Sequence, residues 1–116
     1  MTEKIVTRAI TKHELKEIAS ERFGDLVKAV VDVERAVMAV GAELHSDEEA
    51  KLLEDGSKQK DLWGINLYPD LPADQWIEFD SMINLRPGQN NSSRGVENEE
   101  IRNKIIKIVD SLVKEI

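Results

Sequence analysis

Glu43 and His45 lie two residues apart in the run Glu43-Leu44-His45-Ser46-Asp47, so on an extended strand both side chains project to the same side. A carboxylate beside an imidazole that titrates near neutrality can act as an acid–base pair or contribute ligands to a metal. Two groups complete neither role. Asp80 is the carboxylate that could join them from another strand, whereas Asp32 falls too far along the same hairpin and Lys28 is placed to pair diagonally with Glu43. No metal site is therefore assigned. The plainer reading of His45 is a residue flanking a helix, and His13, in the first turn of another helix, has less to recommend it.

The second chemical candidate is the loop Arg86-Pro87-Gly88-Gln89-Asn90-Asn91-Ser92-Ser93-Arg94-Gly95. Two guanidinium groups held across one loop can grip a phosphate or carboxylate bidentately, and a helix start follows. Asn84, Asn90, Asn91 and Ser93 would orient the anion as donors. The loop matches no nucleotide fingerprint, having neither GxxxxGK[ST] nor GxGxxG, and Glu97, Glu99 and Glu100 already occupy the positive end of the helix. The plainer alternative is that Arg86 and Arg94 tie a long loop to backbone carbonyls or to those acidic residues.

The elements that must position these groups are signalled by caps and periodicity. Thr11 and Glu14 stand at capping-box spacing, with Ile10 and Leu15 as staple, ahead of a helix using Leu15, Ile18 and Ala19 and ending at Gly24. Ser46 and Glu49 repeat the box before a second helix that ends at Gly56. A third runs from Asn98 with Ile101, Ile105, Ile108, Val109, Leu112 and Ile116 as one stripe. Residues 26–45 carry both a helical stripe and an alternating one. The β-branched content favours a hairpin turning at Glu34 and Arg35, which gathers Val27, Ala29, Val31 and Val33 with Ala36, Met38, Val40, Ala42 and Leu44 on one side. A second hairpin follows, apolar at Trp63, Ile65 and Leu67 and at Ile77, Phe79, Ile83 and Leu85, and residues 5–10 are expected to add an edge strand. The order βαββαββα predicts an α+β fold: a largely antiparallel sheet of four or five strands, helices mainly on one face, in a single domain over residues 1–116.

The sheet's second face mixes Lys28, Val30, Asp32 and Val37 with Asn66, Tyr68, Glu78, Asp80, Met82 and Asn84. Such a face suits a ligand cleft or a partner better than bare water. Area scaling gives roughly 6,400 Å² of folded surface for a chain of this mass, enough burial for a core without staples. The chain has 116 residues and no cysteine, which removes disulfides and thiolate chemistry and agrees with a reducing, cytoplasmic location. The N-terminal Met1-Thr2-Glu3-Lys4-Ile5-Val6 lacks the basic start and apolar stretch of a signal peptide, and no apolar run reaches membrane-span length. With 23 acidic against 16 basic residues the net charge is −7, which argues against a nucleic-acid partner.

Gly41-Ala42-Glu43-Leu44-His45, Gly56-Ser57, Leu62-Trp63-Gly64-Ile65-Asn66-Leu67-Tyr68-Pro69 and Ile83-Asn84-Leu85-Arg86-Pro87, with Asn91 and Arg94, resemble a family of small uncharacterised bacterial and archaeal proteins, a domain of unknown function. The resemblance spans nearly the whole chain. It implies a small stand-alone protein, supplies no activity or cofactor, and points to Glu43, His45, Asn66, Arg86 and Arg94 as places to look. The leading expectation is a binding module for a small anionic ligand through the Arg86 to Arg94 loop. A homodimer using Val30, Val37 and Met82 on the mixed face is the second, and an enzyme using Glu43, His45 and Asp80 the third.

Overall fold

The computed structural model describes residues 4–115. Its elements are β1 (Lys4–Val6), β2 (Ile10–Thr11), α1 (Lys12–Arg22), β3 (Val27–Asp32), β4 (Val37–Val40), α2 (His45–Glu54), β5 (Leu62–Leu67), β6 (Ile77–Glu78), α3 (Glu99–Leu112) and β7 (Val113–Lys114). The capping box starts α1 as expected: the Thr11 hydroxyl accepts from the Glu14 amide at 3.0 Å, and the Glu14 carboxylate accepts from the Thr11 amide at 3.2 Å. That second bond is the main reason the Glu14 carboxyl is held below its ordinary range. Asn98 caps α3 by accepting from the Ile101 amide at 3.1 Å. Ile105, Ile108, Val109 and Leu112 of its stripe are buried, and Ile116 lies outside the described residues. Gly24 and Gly56 follow α1 and α2 at φ of +91° and +105°, a region that a residue with a Cβ rarely occupies.

The expected hairpin forms from β3 and β4, its second strand ending at Val40 and not reaching Leu44, which stands at the start of α2. Asp32 opposes Val37 and Val31 opposes Met38, which leaves Glu34 and Arg35 at the centre of the turn. The Asp32 carboxylate shapes that turn, one oxygen accepting from the Glu34 and Arg35 amides at 2.9 Å each and the other from the Ser57 hydroxyl at 2.6 Å. The sheet order is β1-β4-β3-β5-β6, antiparallel throughout, and β2 and β7 make a separate parallel pair. The fold is thus α+β with a five-stranded sheet. The expected succession is contained in a longer one, because the N-terminal segment divides into β1 and β2 and a short strand follows α3.

Alternation along the strands sends Val27, Ala29, Val31, Met38, Val40 and Ile65 into a core shared with Leu15 of α1 and with Ile105 and Val109 of α3. Val30, Val37, Ala39 and Leu62 pack on the opposite face with Leu52 of α2. Burial on both faces explains why the first hairpin reads as a continuous apolar run, with helical and alternating stripes superimposed. It also corrects the expectation of an open second face. Val30 and Val37 are buried inside the chain, so of the three expected dimer anchors only Met82, 62% exposed, reaches the surface.

Two local expectations fail for identifiable reasons. No Ser46 cap forms: α2 starts at His45 behind an uncapped Leu44, because its first turn is tied to the sheet side chain by side chain. His45 bonds the Ile65 carbonyl at 2.8 Å, and the Glu48 carboxylate accepts from the Ala42 amide at 3.1 Å. The last strand of the second hairpin is also shorter than its alternation predicts. β6 ends at Glu78, and the Ser81 hydroxyl accepts from the Ile83 amide at 3.3 Å to cap a 3-10 turn over Met82–Asn84. Ile83 consequently packs on the second face, while Ile77 and Phe79 remain on the first.

Gly64 makes room for this departure, since a Cβ there would stand 2.5 Å from the Ser81 Cβ. Asn84, fully buried, then takes the place of the missing strand. Its Oδ1 accepts from the Gly64 amide at 2.8 Å and its Nδ2 donates to the Gly64 carbonyl at 3.0 Å, so a side-chain amide completes the ladder that β6 has left. Among the described residues no helix is long and apolar enough to cross a membrane.

Candidate functional site

Lys28, Asn66 and Glu78 are register partners on β3, β5 and β6, so antiparallel pairing places them in one row on the second face. α2 packs on this face over β3 and β4, and the 3-10 turn packs against the helix and over Gly64. Beside them lies a cleft of about 560 Å³, lined by that row together with His45, Tyr68, Asp80 and Arg94. The volume is within the range of small-molecule sites. Phe23, Leu44 and Met82 also line it, and all three are exposed, so apolar side chains stand at its edge beside the polar ones.

The hydrogen bonds of the floor are strongly biased. Asn66, only 8% exposed, donates from Nδ2 to the Glu78 carboxylate at 2.8 Å and to the Asp80 carbonyl at 3.4 Å. Both partners can only accept, which fixes the orientation of the amide. Its Oδ1 is left buried without a donor. The Tyr68 hydroxyl donates to the same Glu78 oxygen at 3.1 Å, and burial together with that carboxylate pushes the phenol pKa up, keeping its proton in place. His45 Nε2 must carry the proton that meets the Ile65 carbonyl, because a carbonyl can only accept. Burial pushes this imidazole below its ordinary value; Lys28 and Arg94 act in the same direction, while the Ile65 bond and Asp80 oppose. A neutral ring with Nδ1 as a bare acceptor results.

The rim supplies positive charge. Arg94 Nε donates to Asp80 Oδ1 at 2.6 Å, and this bond pushes the guanidinium pKa up. The side chain is 52% exposed, and among the described residues its two Nη groups have no hydrogen-bond partner. The Lys28 ammonium sits 5.4 Å from the centre of the Phe23 ring at the same cleft.

Of the residues singled out from sequence, His45, Asn66, Asp80 and Arg94 meet in this cleft. The others do not. Glu43 pairs with Arg22 at 3.1 Å instead of with Lys28 and lies off the cleft lining. Arg86 donates to the carbonyls of Ile83 at 2.9 Å and Gln59 at 2.8 Å and to that of Leu62, and stacks 4.6 Å from the Trp63 ring centre. Burial lowers its pKa in consequence. Asn91 gives Nδ2 to the carbonyls of Asn84 at 2.7 Å, Gly95 at 2.8 Å and Ser93 at 3.2 Å, and accepts from the Glu97 amide at 2.9 Å. Asn90 holds a left-handed turn at φ 59°, and the Ser93 hydroxyl accepts from the Gly95 amide at 3.2 Å. Asn84 spends its remaining donor capacity on the Arg94 carbonyl at 2.9 Å.

Lys28, Tyr68 and Glu78 were legible as members of the second face by their period-2 placement, but nothing in the sequence set them apart as cleft residues. Phe23 and Leu44 carried no such signal. Among the described residues no group of three His, Cys, Asp or Glu side chains is placed to hold a metal ion.

Fold and cleft together define a class: an α+β domain whose five-stranded sheet is antiparallel and covered on both faces, with a polar recess where β6 breaks off. The chain belongs to the family described as protein of unknown function (DUF5674), whose model matches residues 4–112. Neither the curated proteins nor the solved structures offer a match to it.

Proposed function

We propose that this protein is a small-molecule-binding domain and that the cleft takes a small anionic ligand, held by Lys28 and Arg94. The observation that carries the reading is the half-exposed Arg94 guanidinium, anchored through Nε by Asp80 with its Nη edge turned to no partner among the described residues. A guanidinium fixed in this way is preorganised to meet a phosphate or carboxylate. Lys28 adds a second cation; of the two carboxylates in the lining, Asp80 is already paired with Arg94 and Glu78 already accepts from Asn66 and Tyr68. The anion-binding group thus comprises Arg94 with a lysine from β3, in place of Arg94 with Arg86.

Thermal unfolding with phosphate, sulfate and nucleoside monophosphates at millimolar concentration tests the reading. A ligand at a hundred times its Kd stabilises the native state by about 2.7 kcal/mol, which for a domain of this size raises Tm by several degrees. The rise is expected to shrink with added salt and to vanish in Arg94→Ala and in Lys28→Ala. A melting curve unmoved by every anion removes the proposal.

A further inference from the structure

Arg94 and Lys28 bring cationic donors to the cleft, and Asn66 Oδ1, His45 Nδ1 and the Glu78 carboxylate bring acceptors beside them. Tyr68 gives its hydroxyl proton to Glu78, and the hydroxyls of Ser46 and Ser81 also line the cleft. Asn66 is the sharpest of these groups. It is more than nine-tenths buried, its orientation is set by two acceptors, and its oxygen faces no donor in the chain. A buried carbonyl oxygen without a donor is costly, and few survive in native proteins unless water or a ligand satisfies them. A simple anion would meet the two cations and leave the Asn66 oxygen unpaired.

We infer that the ligand is bifunctional, an acid that also carries an ammonium or comparable N–H donor, with amino acids as the simplest members of the class. The inference rests on the anion-binding reading of the same cleft and adds the chemistry of the ligand's other end. The acid group meets Arg94 and Lys28 at the rim. The N–H donor reaches down to the row of acceptors, where the Glu78 carboxylate balances a positive charge and the Asn66 carbonyl directs it. About 560 Å³ accommodates both ends with room for a side chain against Phe23, Leu44 and Met82.

Calorimetric titration of the wild-type chain with the standard L-amino acids, each against its matched 2-oxo acid, tests this, with inorganic phosphate as the anion control. An amino acid and its oxo acid share the carboxylate and differ in the donor. At least one amino acid is expected to bind about tenfold or more tightly than its oxo acid, the size of effect that follows when a built acceptor loses its donor. Asn66→Leu should bring that amino acid down to the oxo acid's affinity and leave the oxo acid unchanged. Equal binding of the two, a preference for the oxo acid, or binding of phosphate alone overturns the inference and leaves the anion reading standing. If none of the three classes binds, the anion reading itself falls, and the inference with it. The wild-type comparison decides the matter even where the Asn66 variant does not fold.

Discussion

Arg86 and Arg94 stand eight positions apart in one loop, carry the same side chain, and come to opposite uses. Arg86 is turned inward. Three backbone carbonyls and an indole face enclose it, so it fastens the turn at Gln59–Asp61, the start of β5 and the Met82–Asn84 turn to one another. Arg94 is turned outward, one edge held by Asp80 and the other left toward the cleft. The difference does not lie in the arginines. It lies in what the chain leaves unpaired nearby: β6 stops after two residues, so backbone groups of β5 are stranded and recruit Asn84 and Arg86, while the Arg94 side chain has only a carboxylate beside it. A polar loop can therefore look like one anion site and fold as a latch in which only the Arg94 side chain, near its far end, is left half-exposed at the cleft.

Substitutions that separate the two regions should differ most in stability. Asn84→Ala strips the Gly64 amide and carbonyl of their partners inside the protein and is expected to cost about 3 kcal/mol or more, read as a lower urea midpoint. Arg86→Ala follows at about 2 to 3 kcal/mol, since three carbonyls lose a charged donor and Trp63 loses the group stacked on it. Arg94→Ala should leave the midpoint where it is while abolishing anion-induced stabilisation. A destabilised Arg94 variant beside an unaffected Arg86 variant would reverse the assignment of roles.

A smaller effect concerns His45, the one ionisable group that joins α2 to the cleft. Its imidazole is pushed below the ordinary value of 6.5, first by burial, so on acidification the unfolded chain takes up the proton before the folded one does. The stability held by the neutral ring is complete above pH 6.5 and is lost as pH falls from there toward the folded-state value. The slope in that window approaches about 1.4 kcal/mol per pH unit at most. Urea midpoints at pH 7.5 and 5.5 should differ more for the wild type than for His45→Gln, whose amide can still donate to Ile65. Equal pH dependence in the two would show that His45 is not the group responsible.

What the sequence carried was whatever depends on neighbours along the chain. The Thr11–Glu14 capping box, the stripe of α3 and the Asp32-to-Val37 turn are local, and each formed where its residues indicated. Fold class followed from them. The placement of α2 on the second face was not local: Ser46 and Glu49 have capping spacing, but bonds from His45 and Glu48 to residues of the sheet side moved the helix start. The end of β6 was hidden for a similar reason. Odd-numbered apolar residues continue to Leu85, and only the pairing of Gly64 with Asn84, twenty positions away, reveals that the chain has turned off the sheet. His45, Asn66, Asp80 and Arg94 could be named as candidates singly, while their convergence depends on strand order and on that turn.

The most direct test of the contrast is an amide NMR titration of the labelled wild-type chain with inorganic phosphate and with whichever amino acid binds best in calorimetry. The account predicts shifts that saturate together at Lys28, His45, Asn66, Asp80 and Arg94, with the amides of Arg86 to Asn91 unmoved. Saturating shifts centred on Arg86, Asn90 and Asn91 with a silent cleft would contradict it.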